Sequence, residues 1–257
     1  MSYLTAIFYL REYFFPLGCG GCGGVLLRPR DAYYGLCGDC RALLSSTLRE
    51  KRRCILCGKP LITEKDTCLQ CREENEPANK NYSDSFVRFR KIFPYMGIYK
   101  KVLASFKFKK SAGAGNFLAE CLRYAVKDFE GGVQANDNDV AWVPVPPRPG
   151  KVKRQGWDQI EFLARSLERE HRRLGGENDL LPVRRCLKRL PSRTQKELSR
   201  EERKMNLKGR ILCVKPPPRT AILFDDVITT GATLNACAAA LREGGAERIY
   251  GVCLFYD

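Results

Sequence analysis

Residues 221–233 have the sequence AILFDDVITTGAT, in which an apolar run stops abruptly at two carboxylates, Asp225 and Asp226. An apolar run that ends at acidic residues is typical of a buried strand whose carboxyl end reaches solvent. The residues that follow, up to Glu243, predict a helix that ends at Gly244. A strand, a polar loop and a helix in this order predict a ligand site at the carboxyl edge of an α/β sheet.

The chain on both sides of this stretch continues the alternation of strands and helices, which predicts a mostly parallel sheet. Strands are predicted in 86–98, 139–145 and 247–256, and helices in 99–109, 112–129 and 157–174. Residues 144–151 form a proline-rich turn after the second of these strands. In such a sheet this turn and residues 225–233 would open on the same edge, so we expect them to line one crevice.

Eight cysteines near the front of the chain form four C-x-x-C pairs. The pairs are separated by 14, 13 and 10 residues, a spacing typical of zinc knuckles. The pattern favours two four-thiolate zinc sites over disulfides and iron–sulfur clusters. We expect sequential sites, and the sequence leaves a cross-braced pairing open. The first site would contain Cys19, Cys22, Cys37 and Cys40, and the second Cys54, Cys57, Cys68 and Cys71.

Zinc sites with four protein ligands have no open position for a substrate, so this metal is expected to be structural. Residues 1–72 carry 11 Lys and Arg against 6 Asp and Glu. Eight thiolates and two zinc ions would nearly cancel that excess. The net charge of +16 therefore belongs mainly to the rest of the chain, where it favours a polyanionic partner or an anionic substrate.

The length of 257 residues suits one full α/β domain beside a small one. We expect an N-terminal helix and the cysteine sites within 1–75 and a second domain in 76–257. The start of the chain lacks the basic residues and cleavage site of an export signal, and no apolar run reaches the roughly 18 residues of a membrane span. A cytoplasmic protein is expected. The only histidine, His171, lies in a polar run, so we expect no catalytic triad.

The loop from Thr229 to Thr233 would gather hydroxyls and backbone N–H groups at a helix N-terminus, an arrangement that binds phosphate. Asp225 and Asp226 lie just before it and would repel phosphate, but carboxylates accept hydrogen bonds from vicinal hydroxyls. A phosphate beside a diol describes a ribose 5-phosphate. The chain contains neither a G-x-x-x-x-G-K-[ST] nor a G-x-G-x-x-G motif, which argues against P-loop and dinucleotide sites.

Residues 221–233 resemble the thirteen-residue signature of type I phosphoribosyltransferases, which bind phosphoribosyl pyrophosphate (PRPP). The pattern is four apolar, two acidic, two apolar and two hydroxyl residues, then glycine, any residue and a hydroxyl residue. Nearly the whole chain is similar to the ComF/GntX family. The likeness is carried by FFPLGCGGCG, SFKFKK, WVPVPPRPGKVKRQGWDQIEFLA and SRTQKELSREERKMNLKGRI. It implies an α/β fold in which a double zinc ribbon precedes a phosphoribosyltransferase-like domain.

The resemblance also implies roles for particular residues. Asp225 and Asp226 would hold the ribose hydroxyls at the catalytic centre, and Mg²⁺ would accompany PRPP. The 5-phosphate would be bound by Thr229, Thr230, Gly231, Ala232 and Thr233. The cations expected at the pyrophosphate side are Arg148, Lys151 and Lys107. One departure concerns Gln155-Gly156-Trp157-Asp158-Gln159, where the family usually has Arg-Gly-Phe-Asn-Gln; Arg154 stands next to the missing arginine.

Residues 183–219 carry 13 Lys and Arg against 3 Asp and Glu. By the resemblance they correspond to a covering loop that would close over PRPP, and an exposed basic hairpin or helix is the alternative. The residues singled out there are Arg193, Gln195, Arg203 and Asn206.

Two functions compete. The first is a phosphoribosyltransferase that releases pyrophosphate and is linked to DNA uptake and natural competence, with an unidentified acceptor. The second is a non-catalytic, PRPP-responsive adaptor that binds single-stranded DNA through its basic segments, with Phe106, Phe108 and Trp157 available for stacking. DNA-uptake or replication-restart proteins would be its partners. The sequence does not indicate an oligomeric state.

Overall fold

A computed structural model describes residues 16–74, 86–127, 129, 139–173, 181–191 and 209–257. The expected N-terminal helix and the expected domain boundary between residues 75 and 76 lie outside the described residues. The described part contains eight helices and six strands, numbered here in chain order. The helices are α1 Pro29–Tyr34, α2 Gly38–Leu48, α3 Leu69–Glu74, α4 Gly97–Lys107, α5 Ala112–Lys127, α6 Lys151–Gln155, α7 Gln159–Arg173 and α8 Ala232–Glu243. The strands are β1 Arg88–Pro94, β2 Val140–Pro144, β3 Leu187–Arg189, β4 Ile211–Cys213, β5 Thr220–Ile228 and β6 Arg248–Tyr256.

Four of the strands form one parallel sheet in the order β1-β6-β5-β2. This confirms the parallel sheet expected from the sequence. Phe224 of β5 is aligned with Pro144 of β2 on one side and with Val252 of β6 on the other. The carboxyl ends of β2 and β5 therefore lie next to each other. The remaining two strands, β3 and β4, pair with each other as an antiparallel hairpin.

The apolar run at the start of β5 is continuous because both faces of the sheet are covered. Ile222 and Phe224 lie in a core that also contains buried residues of α5 and α7, whereas Ala221 and Leu223 lie in a second core with buried residues of α8. Strands buried on both faces are apolar at successive positions instead of alternating. Each large apolar side chain buried in this way stabilises the fold by roughly 1.5–3 kcal/mol.

The chain from Cys19 to the end of α2 at Leu48, called here the first cysteine region, shares its core with the sheet. Leu26 and Leu44 from this region are fully buried in the same core as Phe93 of β1 and several residues of α5. The contact is close at Gly113, where an added Cβ would lie 2.4 Å from the backbone nitrogen of Gly35. Only glycine permits two backbones to approach this closely. The first cysteine region is therefore packed into the α/β core and not appended to it.

The chain from Arg53 to Cys71, called here the second cysteine region, is attached to the sheet through Arg53. Its guanidinium donates five hydrogen bonds of 2.8–3.1 Å to the backbone carbonyls of Thr47, Leu48, Glu50, Gly58 and Lys91. These bonds use all five N–H donors of the side chain. Because Lys91 belongs to β1 and Thr47 to α2, one side chain joins both cysteine regions to the sheet.

Candidate functional site

Each of the two cysteine clusters has the geometry of a tetrahedral zinc site. The structure groups the eight thiols sequentially, with the ligand atoms of each group within 4.8 Å of one another; the cross-braced pairing does not occur. A zinc–sulfur distance of about 2.3 Å places the sulfur atoms of a tetrahedron roughly 3.8 Å apart. The Sγ atoms of Cys22 and Cys37 are 3.8 Å apart, and those of Cys57 and Cys68 are 3.7 Å apart. Both clusters therefore fit zinc.

Backbone amides surround the sulfur atoms of the first cluster. The amides of Gly21 and Cys37 donate to Cys19 Sγ at 3.4 and 3.3 Å, and the amide of Gly24 donates to Cys22 Sγ at 3.4 Å. Such bonds favour the charged thiolate over the thiol. All thirteen cysteines are free thiols, so neither cluster contains a disulfide.

The adjacent carboxyl ends of β2 and β5 open on a cleft of about 820 Å³. Residues after β2, including Arg148, form one wall, and the end of β5 with its following loop forms another. The two segments expected to share a crevice do so. Six cations line this cleft, Lys107, Lys110, Arg148, Lys151, Arg154 and Arg189, against the three carboxylates of Asp158, Asp225 and Asp226. The cleft is therefore suited to an anionic ligand.

The two carboxylates at the end of β5 have different surroundings. Asp226 is buried, and its Oδ2 lies 2.9 Å from Lys107 Nζ. The Asp225 carboxylate accepts a hydrogen bond from the amide of Asp226 at 2.8 Å. Burial, and then the charge of Asp226, raise the pKa of Asp225 well above its ordinary value. The protonated form of Asp225 is therefore favoured more than that of a fully solvated carboxyl group.

The loop after β5 forms a recess of about 70 Å³ next to the cleft. Gly231 is the N-cap of α8 and has a φ of 70°, a left-handed conformation that favours glycine. All five loop residues that were expected to bind phosphate line the recess: Thr229, Thr230, Gly231, Ala232 and Thr233. Because α8 begins here, the positive end of its dipole points toward the recess.

The two cations expected in the turn after β2 have different surroundings in the structure. Arg148 is exposed at the rim of the cleft. Lys151, in α6, has its ammonium group held by Asp158 Oδ2 at 2.7 Å and by Gln159 Oε1. The buried carboxylate of Asp158 also accepts a hydrogen bond from the amide of Glu161 at 2.9 Å and so caps α7. Asp158, which departs from the family pattern, therefore secures Lys151 against the start of α7.

The structure describes two of the aromatic residues that were expected to be available for stacking as having opposite exposure. Phe106 was expected to be available for base stacking, which is wrong, because it is fully buried beside Trp157 and Phe162. Phe108, two residues further on, is 79% exposed at the cleft. The four residues singled out in the covering loop, Arg193, Gln195, Arg203 and Asn206, lie outside the described residues.

Sequence patterns gave no indication of Arg189 in β3. It lines the cleft although it is only 8% exposed. Nothing in the local sequence CLKRL distinguishes it from its exposed neighbour Lys188. The pairing of β3 with β4, more than 20 residues away, places it there.

Several known proteins are similar in sequence to this chain over most of its length. The sequence is 31% identical to Competence protein F of Haemophilus influenzae over 92% of this chain and 95% of that protein. The chain belongs to the ComF family. Competence protein ComFC of Bacillus subtilis is 26% identical over 86% of this chain and 82% of its own, and DNA utilization protein YhgH of Escherichia coli is 26% identical over 86% and 90%. The sequence matches none of the protein-family models with which it was compared.

This member of the ComF family has no membrane-crossing helix within its described residues, where every helix is too short or too polar to span a bilayer.

The raised pKa of Asp225 predicts a stability penalty at neutral pH. An unfolded aspartate has a pKa of about 3.9, so above this pH the unfolded chain releases a proton that folded Asp225 retains, and stability falls as the pH rises toward the folded pKa. Asp225→Asn removes this dependence. We expect its thermal midpoint to exceed that of the unaltered protein by a margin that grows above pH 4 and then levels off.

Thermal unfolding between pH 4 and 9 measures this margin. Glu247→Gln is the matched control, because it removes one carboxylate from an exposed pair with Arg219. Equal midpoints for Asp225→Asn and the control at every pH would contradict the predicted penalty.

Proposed function

We propose that this ComF-family protein binds PRPP in the cleft at the carboxyl ends of β2 and β5 and transfers its phosphoribosyl group to an acceptor. One observation carries the proposal: two carboxylates, a helix N-terminus with hydroxyl residues, and several cations all border one cleft. These groups match the diol, the phosphate monoester and the diphosphate of PRPP. The likeness of residues 221–233 to the phosphoribosyltransferase signature supports the same ligand.

In this proposal the loop 229–233 and the start of α8 hold the 5-phosphate by backbone and hydroxyl hydrogen bonds. Asp225 and Asp226 accept hydrogen bonds from the ribose hydroxyls. Hydrogen bonds donated by the ribose hydroxyls would favour the charged form of the Asp225 carboxylate, and Lys107 neutralises Asp226. Mg²⁺ supplies charge neutralisation for the diphosphate. The cleft itself therefore positions the sugar and its leaving group.

The transfer is a displacement at the anomeric carbon. The bond from this carbon to the pyrophosphate oxygen breaks, pyrophosphate leaves with the electron pair, and the acceptor forms the new bond and gives up a proton. Positive charge develops on the sugar ring during this step. Positioning and electrostatic stabilisation supply the rate enhancement, so the chemistry needs no protein nucleophile. This fits a cleft whose described lining contains no histidine or cysteine.

The names of the relatives support a link between this chain and the use of DNA. Proteins named for competence and for DNA utilization are similar to this chain over most of its length. We propose that this chain likewise acts in DNA uptake or in the use of the incoming DNA, in the cytoplasm.

We expect calorimetry with PRPP and Mg²⁺ to detect binding that Asp225→Asn/Asp226→Asn weakens by at least about 100-fold, because two charge-assisted contacts are lost. Glu247→Gln removes an exposed carboxylate and should bind PRPP as the unaltered protein does. Circular dichroism and zinc content show whether each variant is folded. A folded, zinc-loaded protein that binds no PRPP would rule out the transferase.

A second function is favoured by the exposed Phe108, which lies among Lys107, Lys109 and Lys110 beside the cleft. An aromatic ring among cations suits a base and its phosphate. In this alternative the protein binds PRPP without consuming it and changes its affinity for single-stranded DNA. Pyrophosphate release, measured after binding, distinguishes the two functions. Release of pyrophosphate when an acceptor is added would identify an enzyme. A PRPP-dependent change in DNA affinity without pyrophosphate release would identify an adaptor.

A further inference from the structure

A second cavity lies at the amino end of β1, on the opposite edge of the sheet from the cleft. Its volume is about 330 Å³, and it is lined by β1, α5, the segment after α2 and the second cysteine region. Arg88, the first residue of β1, contributes to the lining, whereas the strand ends at Pro94 on the carboxyl edge. The volume lies within the range of small-molecule sites, which begins at about 300 Å³.

The lining of this second cavity is strongly positive. Five cations contribute to it against the single carboxylate of Glu50: Arg49, Lys51, Arg53, Arg88 and Arg90. The Glu50 carboxylate accepts a hydrogen bond from the amide of Arg52 at 3.0 Å, and its Oε1 lies 3.9 Å from Arg52 Nε. The excess of positive charge in the lining suits an anionic ligand.

Two of the five cations are fixed by the end of α2. Arg53 and Arg90 both donate to the backbone carbonyl of Leu48, at 3.1 and 3.0 Å. A carbonyl group is a dipole without net charge, so these bonds orient the two guanidinium groups without cancelling their charge. Both groups therefore contribute a positive potential to the wall of the cavity.

The other three cations are exposed at the rim. Arg49 and Lys51 lie in the segment between α2 and the second cysteine region, and Arg88 begins β1. Within the described residues, none of the three side chains forms an ion pair or a hydrogen bond. Cations from two separate segments thus meet at one rim with their donors available. Such a set suits a phosphate group, whose several oxygens accept charge-assisted hydrogen bonds.

Aromatic residues supply another part of the lining. Phe89 and Phe129 are buried, and each already has an aromatic neighbour, Phe86 and Tyr250, with ring centroids 5.2 Å apart in both pairs. Tyr124 of α5 is only half-buried, and it has no ring contact within the described residues. An accessible aromatic side chain beside cations suits a flat base that is attached to a phosphate.

We propose that the second cavity binds a mononucleotide, with its phosphate at Arg49, Lys51 and Arg88 and its base against Tyr124. The cations surround one cavity of small-molecule size, which favours a single nucleotide over a nucleic-acid strand. The assignment is independent of the proposed function, because the second cavity shares no lining residue with the cleft.

Calorimetry with AMP tests the phosphate contacts. PRPP and Mg²⁺ are added first in excess, because the recess at α8 also suits a 5′-phosphate. Lys51→Met/Arg88→Met removes two rim cations. The control, Arg28→Met/Lys101→Met, removes the same two charges from exposed residues outside both cavities. We expect the rim variant to weaken AMP by at least about 10-fold and the control by less than about 2-fold, with PRPP affinity equal in both.

Tyr124→Leu tests the contact with the base. Leucine keeps an apolar side chain against the core but removes the ring, so AMP should bind about 5- to 100-fold more weakly. Adenosine, which lacks the phosphate, should bind less tightly than AMP. Tyr124→Leu should weaken adenosine as well, whereas the rim variant should leave it unchanged. AMP affinity equal to that of the unaltered protein in folded Tyr124→Leu would overturn the nucleotide assignment.

Four further results would overturn it. The unaltered protein does not bind AMP while PRPP fills the cleft. The rim variant binds AMP as tightly as its control. The rim variant loses zinc by mass spectrometry, which would show that the cations serve the thiolates of the second cluster, where Cys54 also lines the cavity. A short oligothymidylate binds through the rim cations while AMP does not, which would assign the surface to nucleic acid.

Failure of the proposed function gives a different result. The unaltered protein then does not bind PRPP, yet AMP titrated alone still binds, and the rim variant still weakens it. Failure of this inference alone leaves PRPP binding intact and removes the difference in AMP affinity between the rim variant and its control.

Discussion

Replacing Cys40 with serine is expected to unfold the surroundings of the first cysteine cluster together with the sheet, while the second cluster, which has a small core of its own, keeps its zinc ion. Cys40 is buried at the start of α2 and belongs to the first cysteine cluster, whose surrounding residues share one core with β1 and α5. A structural zinc ion contributes on the order of 10 kcal/mol to folding, which is comparable to the whole stability of a typical protein. Because no separate core isolates this cluster, its loss extends to the sheet.

Zinc content by mass spectrometry, together with thermal unfolding followed by circular dichroism, measures this effect. The unaltered protein should hold two zinc ions and unfold in one transition. Soluble Cys40→Ser protein should hold one and lack the cooperative transition. The control is Cys213→Ser, at a half-buried thiol outside both clusters, which should retain both ions. A native transition in Cys40→Ser, or zinc-free native protein, would refute the prediction.

The second large effect is expected for Gly58→Ala. Gly58 has a φ of 65°, and a Cβ there would lie 2.2 Å from the carbonyl oxygen of Phe89 and 2.5 Å from Arg90 Cα. Both obstacles are backbone atoms of β1, so a side-chain rotation cannot relieve the clash. We expect a loss of about 2–5 kcal/mol from conformational strain and overpacking together, because the second cysteine region must separate from β1.

Gly23→Ala separates the clash from the strain. Gly23 has a φ of 85°, also left-handed, but a Cβ there meets nothing within 4 Å. It should therefore lose only the conformational part, about 1–2 kcal/mol. Denaturant unfolding of both variants gives the comparison. Equal losses of unfolding free energy in the two variants would show that the backbone of β1 does not exclude a side chain at Gly58.

The features that could be predicted from the sequence are those whose residues are neighbours in the chain. The paired cysteines stand three residues apart, so their spacing alone indicates a metal site. Residues 221–224 are apolar at every position because two cores receive them in turn, and this is visible as an uninterrupted run. Asp225 and the loop after it follow directly in the sequence, so the site at the carboxyl end of β5 was predicted with the strand.

The features that could not be predicted depend on contacts that local patterns do not show. The ammonium group of Lys151 reaches Asp158 because the chain turns between α6 and α7. Arg189 enters the cleft only because β3 pairs with β4. The shared core of the first cysteine region and the sheet is equally hidden, since Leu26 and Leu44 meet Phe93 across more than 40 residues of sequence.

The strand order has a consequence for how the chain acquires its fold during synthesis. β6 follows every other strand in the chain but lies between β1 and β5. A nascent chain can bind zinc once residue 71 has emerged, and β2 can pair with β5. Among the strands that the structure describes, β1 has no partner until β6 is translated. For the intervening 153 residues between Pro94 and Arg248, the apolar side chains of β1 depend on the zinc-bound segment and on α4 and α5 for cover. Early metal loading would thus shield the growing chain from aggregation.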